Sequence, residues 1–268
     1  IKGEQPMNKG ISMFDLRGKT AVLSGGAGLY GRQIASALAE CGAKLYIASR
    51  NLEKNQKLAD ELNSLGCDVH AKELDLSSEK SIIALAESVF EECGKADILI
   101  NNAVMRTMQG YDDTAEAFDM SMKINATGLF LISRAFGDRM AEKGGGNIIN
   151  IGSYMGLLGP DYSLYDGTDM NTRGCPPDYF FHKGGITNYT RFLASHYGKS
   201  GVRCNCLELG GLYSGQDEIF VKKYSEKTML GRMANETDIK GSVVFLASDA
   251  SAYITGSIIC VDGGYCAK

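Results

Sequence analysis

The stretch Thr20-Ala-Val-Leu-Ser-Gly-Gly-Ala-Gly-Leu-Tyr-Gly31 joins a short apolar run to a glycine-rich turn. The apolar run predicts a buried β-strand at residues 20–24, and an amphipathic helix is predicted after the turn, at residues 30–41. In this setting a glycine turn lets an anionic group approach the backbone and lie at a helix N-terminus. The stretch therefore predicts a strand–turn–helix unit with a phosphate-binding turn.

The alternation of strand and helix continues to the C-terminal end of the chain. Further strands are predicted at residues 44–48, 69–74, 97–100, 147–151, 202–207 and 257–261. Further helices are predicted between the second strand and residue 65 and at residues 78–92, 114–125, 128–143, 179–197 and 236–247. This alternation is typical of a parallel sheet covered by helices. The predicted fold class is α/β, a single-domain Rossmann fold with a doubly wound, seven-stranded parallel sheet and helices on both faces.

Residues 14–268 are expected to form that single domain, and residues 1–13 are expected to be an N-terminal extension or a remnant of cloning. Two segments, 154–178 and 212–229, show no obvious element of their own. We expect both at the carboxyl ends of the strands, where open α/β sheets bind ligands. Because long segments of this kind are commonly binding loops or lids, we predict an active-site insertion at 154–178 and a lid at 212–229.

The composition narrows the classes of partner. The chain of 268 residues has a net charge of -4 and no run of basic residues, which argues against nucleic-acid binding. No apolar stretch approaches the roughly 20 residues that span a bilayer, and no apolar signal core is visible, so we expect no membrane partner and a cytoplasmic location. The eight cysteines contain no C-x-x-C pair and the three histidines are scattered, so no metal site is predicted.

Tyr179 and Lys183 are four residues apart, which places them one turn apart on the same face of a helix. A nearby cation favours the ionised form of a phenol, whose ordinary pKa is about 10, and so prepares it for proton transfer at neutral pH. Such a spacing also arises by chance about once in a chain of this composition. The pair gains weight because Asn125 lies on a predicted helix upstream and Ser153 follows a predicted strand.

The second predicted strand ends in Ser49-Arg50-Asn51, where an NAD-binding unit would show an acidic residue for the ribose hydroxyls. Arg50 instead suits the 2'-phosphate of NADP. An arginine at a strand end is also common on protein surfaces, so NAD(H) stays as the alternative. The sequence therefore favours NADP(H) as the cofactor.

Taken together, these features resemble the short-chain dehydrogenase/reductase family over residues 14–261. The turn matches the family pattern at Ser24, Gly25 and Gly31, while Leu29 takes the place of the middle glycine and Gly28 stands one residue early. Further matches are Asp75-Leu76, Asn101-Asn102-Ala103 with Val104 in place of a glycine, and Val261-Asp-Gly-Gly264, whereas Leu209-Gly210-Gly211 replaces the usual Pro-Gly. The cofactor-binding residues implied by the resemblance are Gly25, Gly28, Leu29, Tyr30, Gly31, Ser49, Arg50, Asn51, Asp75, Leu76, Asn102, Ala103, Val104, Tyr179, Lys183, Gly210 and Leu212.

The resemblance also implies a catalytic tetrad of Asn125, Ser153, Tyr179 and Lys183. Tyr179 is expected to exchange a proton with the substrate oxygen while a hydride passes to or from the nicotinamide, and Ser153 is expected to hydrogen-bond that oxygen. Lys183 is expected to hold the nicotinamide ribose, and Asn125 to anchor a water that links Lys183 to solvent. The implied activity is the NAD(P)(H)-dependent interconversion of a secondary alcohol and a ketone.

Ser153 and Tyr179 are 26 positions apart (179 minus 153), which is more than is common in the family. The intervening segment carries polar and aromatic side chains that suit hydroxyl groups: Asp161, Tyr162, Tyr165, Asp166, Asp169, Asn171 and Arg173. With residues 210–216 it is similar to the gluconate 5-dehydrogenase-like and sugar-modifying branches of the family. The predicted small-molecule substrate is a sugar, sugar acid, polyol or nucleotide-linked sugar.

Two alternatives stay open. An apolar pocket for a steroid, bile acid or 3-oxoacyl thioester could be lined by Met105, Met108, Met155, Leu157 and Leu158. The departures from the family pattern at Leu29, Val104 and Leu209 leave room for a non-catalytic dinucleotide-sensing protein. The resemblance further implies a homo-oligomer, either a dimer or a tetramer, formed through the outer faces of the helices at 128–143 and 179–197.

Overall fold

The computed structural model describes residues 10–170 and 175–268, and within them seven strands form one parallel sheet. The strands are β1 (Thr20–Ser24), β2 (Lys44–Ser49), β3 (Asp68–Glu73), β4 (Ile98–Asn101), β5 (Gly146–Ile151), β6 (Val202–Leu209) and β7 (Ile258–Val261). Their order across the sheet is β3-β2-β1-β4-β5-β6-β7, and each neighbouring pair is parallel. The predicted fold class is confirmed.

Helices cover both faces of this sheet. The helices of the described residues are α1 (Leu29–Glu40), α2 (Leu52–Ser64), α3 (Glu79–Cys93), α4 (Ala115–Met122), α5 (Gly128–Glu142), α6 (Pro177–Tyr197), α7 (Glu218–Lys227), which lies outside the two cores that flank the sheet, and α8 (Lys240–Ala247). Side chains alternate along a strand, so Ala21 and Leu23 of β1 pack in one core with α1, α2 and α8, while Val22 packs in the other with α3, α5 and α6. Because both faces are covered, β1 is buried along its whole length.

The sheet has a topological switch point between β1 and β4. From β1 the chain adds β2 and β3 on one side, and it then returns to place β4 on the other side of β1. The loops after β1 and β4 therefore leave the sheet in opposite directions and open a crevice at its carboxyl edge, which is the place where such sheets bind ligands.

The helix boundaries differ from the sequence predictions mainly at two places. The helices predicted at 114–125 and 128–143 are joined by a π-helical turn, Lys123–Thr127, which continues α4 into α5. The last helix begins at Lys240 because Asn235 caps a turn there, accepting the backbone N–H groups of Thr237 (2.9 Å) and Asp238 (3.2 Å). No described helix is long and apolar enough to cross a membrane.

The segments 154–178 and 212–229, in which the sequence shows no obvious element, both contain regular structure. The lid segment holds α7, whose N-terminus is capped by the Asp217 carboxylate, which accepts the N–H groups of Ile219 and Phe220. The described part of the insertion holds two short 3-10 turns, Tyr154–Gly156 and Tyr162–Tyr165. Asn171 and Arg173 lie outside the described residues, as do residues 1–9.

Candidate active site

A cavity of about 840 Å³ opens at the carboxyl edge of the sheet, at the switch point. It is lined by Ser153 and by every residue predicted to bind the cofactor except Gly31. Asn125 lines a smaller neighbouring cavity of about 20 Å³, which Lys183 and His182 also line. The structure therefore brings nearly all the predicted site residues to two adjoining cavities.

Gly31 does not line the cavity, but it lets α1 pack closely against the glycine turn. A Cβ atom on Gly31 would overlap the Gly25 carbonyl oxygen, so α1 can pack this closely against the turn only with glycine there. Gly25 itself has a φ of +73°, a left-handed conformation that also favours glycine, and its carbonyl oxygen accepts the N–H of Gly28 at 3.1 Å. Leu29 is the first residue of α1, and its half-exposed side chain lines the cavity.

Hydrogen bonds to the segments after β4 and β6 hold this turn. Asn102, just after β4, donates its side-chain amide to the carbonyl oxygens of Ser24 (3.2 Å) and Gly25 (3.0 Å). The Ser24 hydroxyl oxygen in turn accepts the N–H groups of Asn102 and Ala103, each at 3.1 Å. The Tyr30 hydroxyl donates to the Gly210 carbonyl oxygen at 2.7 Å, which joins the turn to the loop after β6. The turn is thus fixed before any ligand enters.

Two cationic side chains lie at the β2 end of the cavity. Arg50 and Lys54 both line it and are exposed, and Lys54 lies in the first turn of α2, whose N-terminus Asn51 caps at 2.9 Å. Asp75, from the loop after β3, also lines this end. The Ser77 backbone N–H and hydroxyl both donate to its carboxylate and hold its pKa below the ordinary value. The stretch Ser49-Arg50-Asn51 at the end of β2 carries a cation and no acidic residue, which suits a phosphate on the adenosine ribose.

Tyr179 and Lys183 lie one turn apart on α6 and face the same cavity. The Lys183 Nζ atom is 5.7 Å from the centre of the Tyr179 ring and donates to the Ile151 carbonyl oxygen at 2.6 Å. Ser153 follows β5, and its hydroxyl oxygen accepts the Met155 N–H at 3.2 Å, which leaves the hydroxyl hydrogen available to a ligand. A phenol, an ammonium and a hydroxyl group therefore line the same cavity.

The sequence analysis missed a second cation beside the phenol. The guanidinium carbon of Arg106 lies 4.8 Å from the centre of the Tyr179 ring, and Arg106 lines the cavity. Among the described residues it has no ion-pair partner. The sequence feature that could have identified Arg106 is its position in the loop that follows β4, a central strand of the sheet.

Asn125 sits in the π-helical turn, where its side chain is fully engaged. Its Oδ1 atom accepts the Met105 N–H at 2.9 Å, and its Nδ2 atom donates to the Met105 carbonyl oxygen (2.7 Å) and to the Ser121 hydroxyl (3.0 Å). Asn125 therefore fixes the loop that carries Arg106. The adjoining cavity of about 20 Å³ has room for one water molecule beside Lys183.

The wall of the cavity mixes polar and apolar groups. Of the described polar residues expected to face a substrate from the insertion, Tyr165 lines the cavity, whereas Tyr162, Asp166 and Asp169 are exposed and Asp161 pairs with Lys227. Of the apolar set, Met105 and Met155 line the cavity, whereas Met108, Leu157 and Leu158 do not. Further lining residues that the sequence analysis did not single out are Tyr154, Met170, Phe220, Tyr224 and Met233.

The insertion and α7 form one cover over the cavity. The Lys223 ammonium donates to the carbonyl oxygens of Ser163 and Asp166, each at 2.7 Å, and Lys227 pairs with Asp161. The rings of Tyr165 and Phe220 also pack against each other, with their centres 5.4 Å apart. The two segments are therefore joined by charge, by hydrogen bonds and by apolar contact.

A glycine turn at the switch point of a parallel sheet, opening on a tyrosine and a lysine, is the arrangement of an oxidoreductase that uses a nicotinamide dinucleotide. A family model described as enoyl-(acyl carrier protein) reductase matches residues 28–266. The chain belongs to the short-chain dehydrogenase/reductase family, and the predictions of the family and of an oxidoreductase are confirmed.

Relatives with stated activities cover nearly the whole chain. D-threitol dehydrogenase of Mycolicibacterium smegmatis is 33% identical over 264 residues, 95% of this chain and 95% of that protein. Galactitol 2-dehydrogenase (L-tagatose-forming) of Cereibacter sphaeroides is 30% identical over 262 residues, 95% of this chain and 97% of that protein. The crystal structure of a gluconate 5-dehydrogenase from Burkholderia cenocepacia, in complex with NADP and tartrate, matches with a TM-score of 0.86 and 26% identity, over 96% of this chain and 98% of that one.

Proposed function

We propose that this protein is an NADP(H)-dependent dehydrogenase that interconverts a secondary alcohol and a ketone on a sugar, sugar acid, polyol or nucleotide-linked sugar. The observation that carries the proposal is that Ser153, Tyr179 and Lys183 line the same cavity as the glycine turn. Relatives that act on threitol and galactitol, and a structural neighbour that is a gluconate dehydrogenase, support the substrate class.

The residues present fit the dinucleotide. The preformed turn at Gly25 and Gly31 lets a pyrophosphate reach the N-terminus of α1, and Arg50 with Lys54 suits a 2'-phosphate. NAD(H) is the alternative that the same cavity could hold. When bound, the nicotinamide supplies or accepts the hydride. The chain's own groups then have to orient the substrate and move one proton.

The family resemblance supplies the proposed proton-transfer roles, and the presence of Ser153, Tyr179 and Lys183 in one cavity supports them. Tyr179 gives its hydroxyl proton to the substrate oxygen during reduction and accepts it during oxidation. Ser153 donates a hydrogen bond to that oxygen and stabilises the negative charge that develops on it. Lys183 would hold the ribose hydroxyls with a positive charge next to the phenol, and the small cavity beside Asn125 has room for the water that would return the proton.

Arg106 favours a carboxylated substrate within this class. A guanidinium without an ion-pair partner among the described residues can bind a carboxylate in a bidentate manner, and Arg106 lies against the Tyr179 ring. A sugar acid would place its carboxylate on Arg106 and a hydroxyl-bearing carbon near Tyr179. A neutral polyol would not use this charge.

A substrate panel tests the proposal. D-gluconate, D-threitol, galactitol and a sterol with NADP+, together with a 3-oxoacyl thioester with NADPH, are followed at the nicotinamide absorbance. We expect turnover of the polyhydroxylated compounds, with the highest kcat/KM for the acid. Arg106→Met should raise the KM for gluconate at least tenfold and leave the polyol values within about twofold, because a charge-assisted hydrogen bond contributes about 1.5–3 kcal/mol. Turnover of the sterol or thioester alone would assign the enzyme to the hydrophobic alternative.

We further propose that residues 14–268 form one domain, which assembles in the cytoplasm into a homodimer or homotetramer. The large aromatic side chains exposed on α5 and α6, which are Phe130, Phe181 and Phe192, support an interface on these helices. Light scattering after size exclusion should show a dimer or tetramer, and Phe192→Asp should shift it to smaller species. A wild-type monomer at micromolar concentration would contradict the assembly.

A further inference from the structure

Glu208 on β6 is a buried carboxylate that the proposed mechanism does not use. Its side chain has no exposed surface, although it stands in a strand of otherwise mainly apolar residues. The Ser153 backbone N–H donates to Oε2, and the Cys206 thiol lies 3.5 Å from Oε1. The carboxylate therefore lies directly behind the serine that faces the cavity.

The same carboxylate reaches the helix that carries the phenol. The Thr187 hydroxyl donates to Oε1 at 3.0 Å. Thr187 follows Lys183 by four residues, and Lys183 follows Tyr179 by four, so the three side chains lie along one face of α6. One carboxylate thus connects the end of β5 with the face of α6 from which Tyr179 and Lys183 extend.

The surroundings are shaped to keep the carboxylate in place. Gly152 lies between it and β5, and a Cβ atom on Gly152 would overlap Oε2. Burial raises the pKa of the Glu208 carboxyl, while the hydrogen bonds from Thr187 and Ser153 and the charge of Lys183 act in the opposite direction. Because a buried carboxyl group is costly to the fold unless it is hydrogen-bonded, its geometry depends on both partners.

We propose that Glu208 is a positioning residue. By binding the Ser153 backbone and the helix α6, it fixes Ser153 relative to Tyr179 and Lys183. The inference rests on the role proposed above for Ser153. A displacement of about 1 Å between reacting groups can reduce a rate by about 100-fold. Losing this connection should therefore lower kcat without changing dinucleotide affinity.

The test compares variants of the full chain on whichever substrate of the panel above the wild type turns over. Glu208→Leu removes both acceptors, Glu208→Gln keeps an acceptor oxygen, and Thr187→Val removes the hydrogen bond to α6 alone. Cys206→Ala is the control, because it removes only the thiol hydrogen bond to Oε1 and keeps the hydrogen bonds from Ser153 and Thr187. Each of Glu208→Leu and Thr187→Val is also made in the Ser153→Ala background.

We expect Glu208→Leu to lower kcat at least tenfold and Thr187→Val about threefold, with the Kd of NADPH within about twofold of wild type. Glu208→Gln should stay within about threefold of wild type, and the Cys206 variant should match wild type. In the Ser153→Ala background neither substitution should reduce kcat further, because residues that act as a unit are not additive.

The outcomes that overturn the inference are distinct from those that overturn the proposed function. Equal losses in the wild-type and Ser153→Ala backgrounds would show that Glu208 only supports the core, and an unchanged kcat in Thr187→Val would refute the connection even if the leucine variant fails to fold. A Ser153→Ala enzyme with normal turnover would instead refute the role of Ser153. A wild-type protein that turns over no compound of the panel would refute the proposed function and this inference with it.

Discussion

Replacing His182 with phenylalanine should make the protein more resistant to acid. The His182 side chain on α6 is 4% exposed, and neither ring nitrogen has a hydrogen-bond partner among the described residues. Burial, then the charges of Lys183 and Arg106, lower the pKa of the imidazole from 6.5 to about 3. The native state therefore excludes a proton that the unfolded chain accepts.

The size of the effect follows from this difference. A histidine whose pKa is lower in the folded than in the unfolded state does not change the free energy of unfolding above about pH 6.5. It destabilises the native state progressively as the pH falls toward 3. At about 1.4 kcal/mol per pH unit, the penalty at pH 5 is about 2 kcal/mol. Phenylalanine keeps an aromatic ring in the same space and removes the titration.

Urea unfolding at pH 8 and pH 5, at one protein concentration, measures the change in the free energy of unfolding between the two values. We expect that change to be smaller by about 2 kcal/mol in His182→Phe than in wild type. His196→Phe is the matched control, because His196 is exposed on the same helix. If His182→Phe and wild type lose the same stability on acidification, the native state binds a proton at His182 and the reasoning is refuted.

Three further predictions concern the cofactor, the proton and the packing behind the serine. Arg50→Ala should raise the KM for NADP+ about tenfold and leave the KM for NAD+ unchanged, because an exposed hydrogen bond to a charged group contributes about 1.5 kcal/mol of binding free energy. Substitution of the exposed Lys57 by alanine is the control. Equal effects on both dinucleotides would contradict the prediction. Tyr179→Phe should abolish turnover and keep NADPH binding within about twofold, as fluorescence titration would show. Gly152→Ala should lower the free energy of unfolding by about 1–3 kcal/mol, because the new Cβ overlaps a buried carboxylate, whereas Gly159→Ala, with open space around it, should not.

The local sequence pattern was sufficient for the sheet and for the glycine turn. The apolar run before Gly25 predicts β1 at its observed bounds, because a strand covered on both faces has to be apolar throughout. The helix α7 escaped the analysis because its buried residues Phe220 and Tyr224 pack against the insertion and not against the sheet. Their meaning depends on a segment distant in the chain.

The residues that complete the site were hidden for the same reason. Arg106 gains its importance from the ring of Tyr179, and Glu208 from Ser153 and Thr187, and each partner is far away in the sequence. A single charged residue in a loop or strand is ambiguous until folding supplies its neighbours. The polar insertion misled the analysis because Asp161 binds Lys227 of the lid instead of facing the cavity.

The connection between the insertion and α7 has a consequence for how this enzyme could be altered. Lys223 and Lys227 of α7 bind Ser163, Asp166 and Asp161 of the insertion. The position of each segment therefore depends on the other. Transplanting the insertion of a relative without its α7 would leave Lys223 and Lys227 without the acceptors that they have here. Changes of substrate specificity in this fold therefore require the insertion and α7 to be exchanged together.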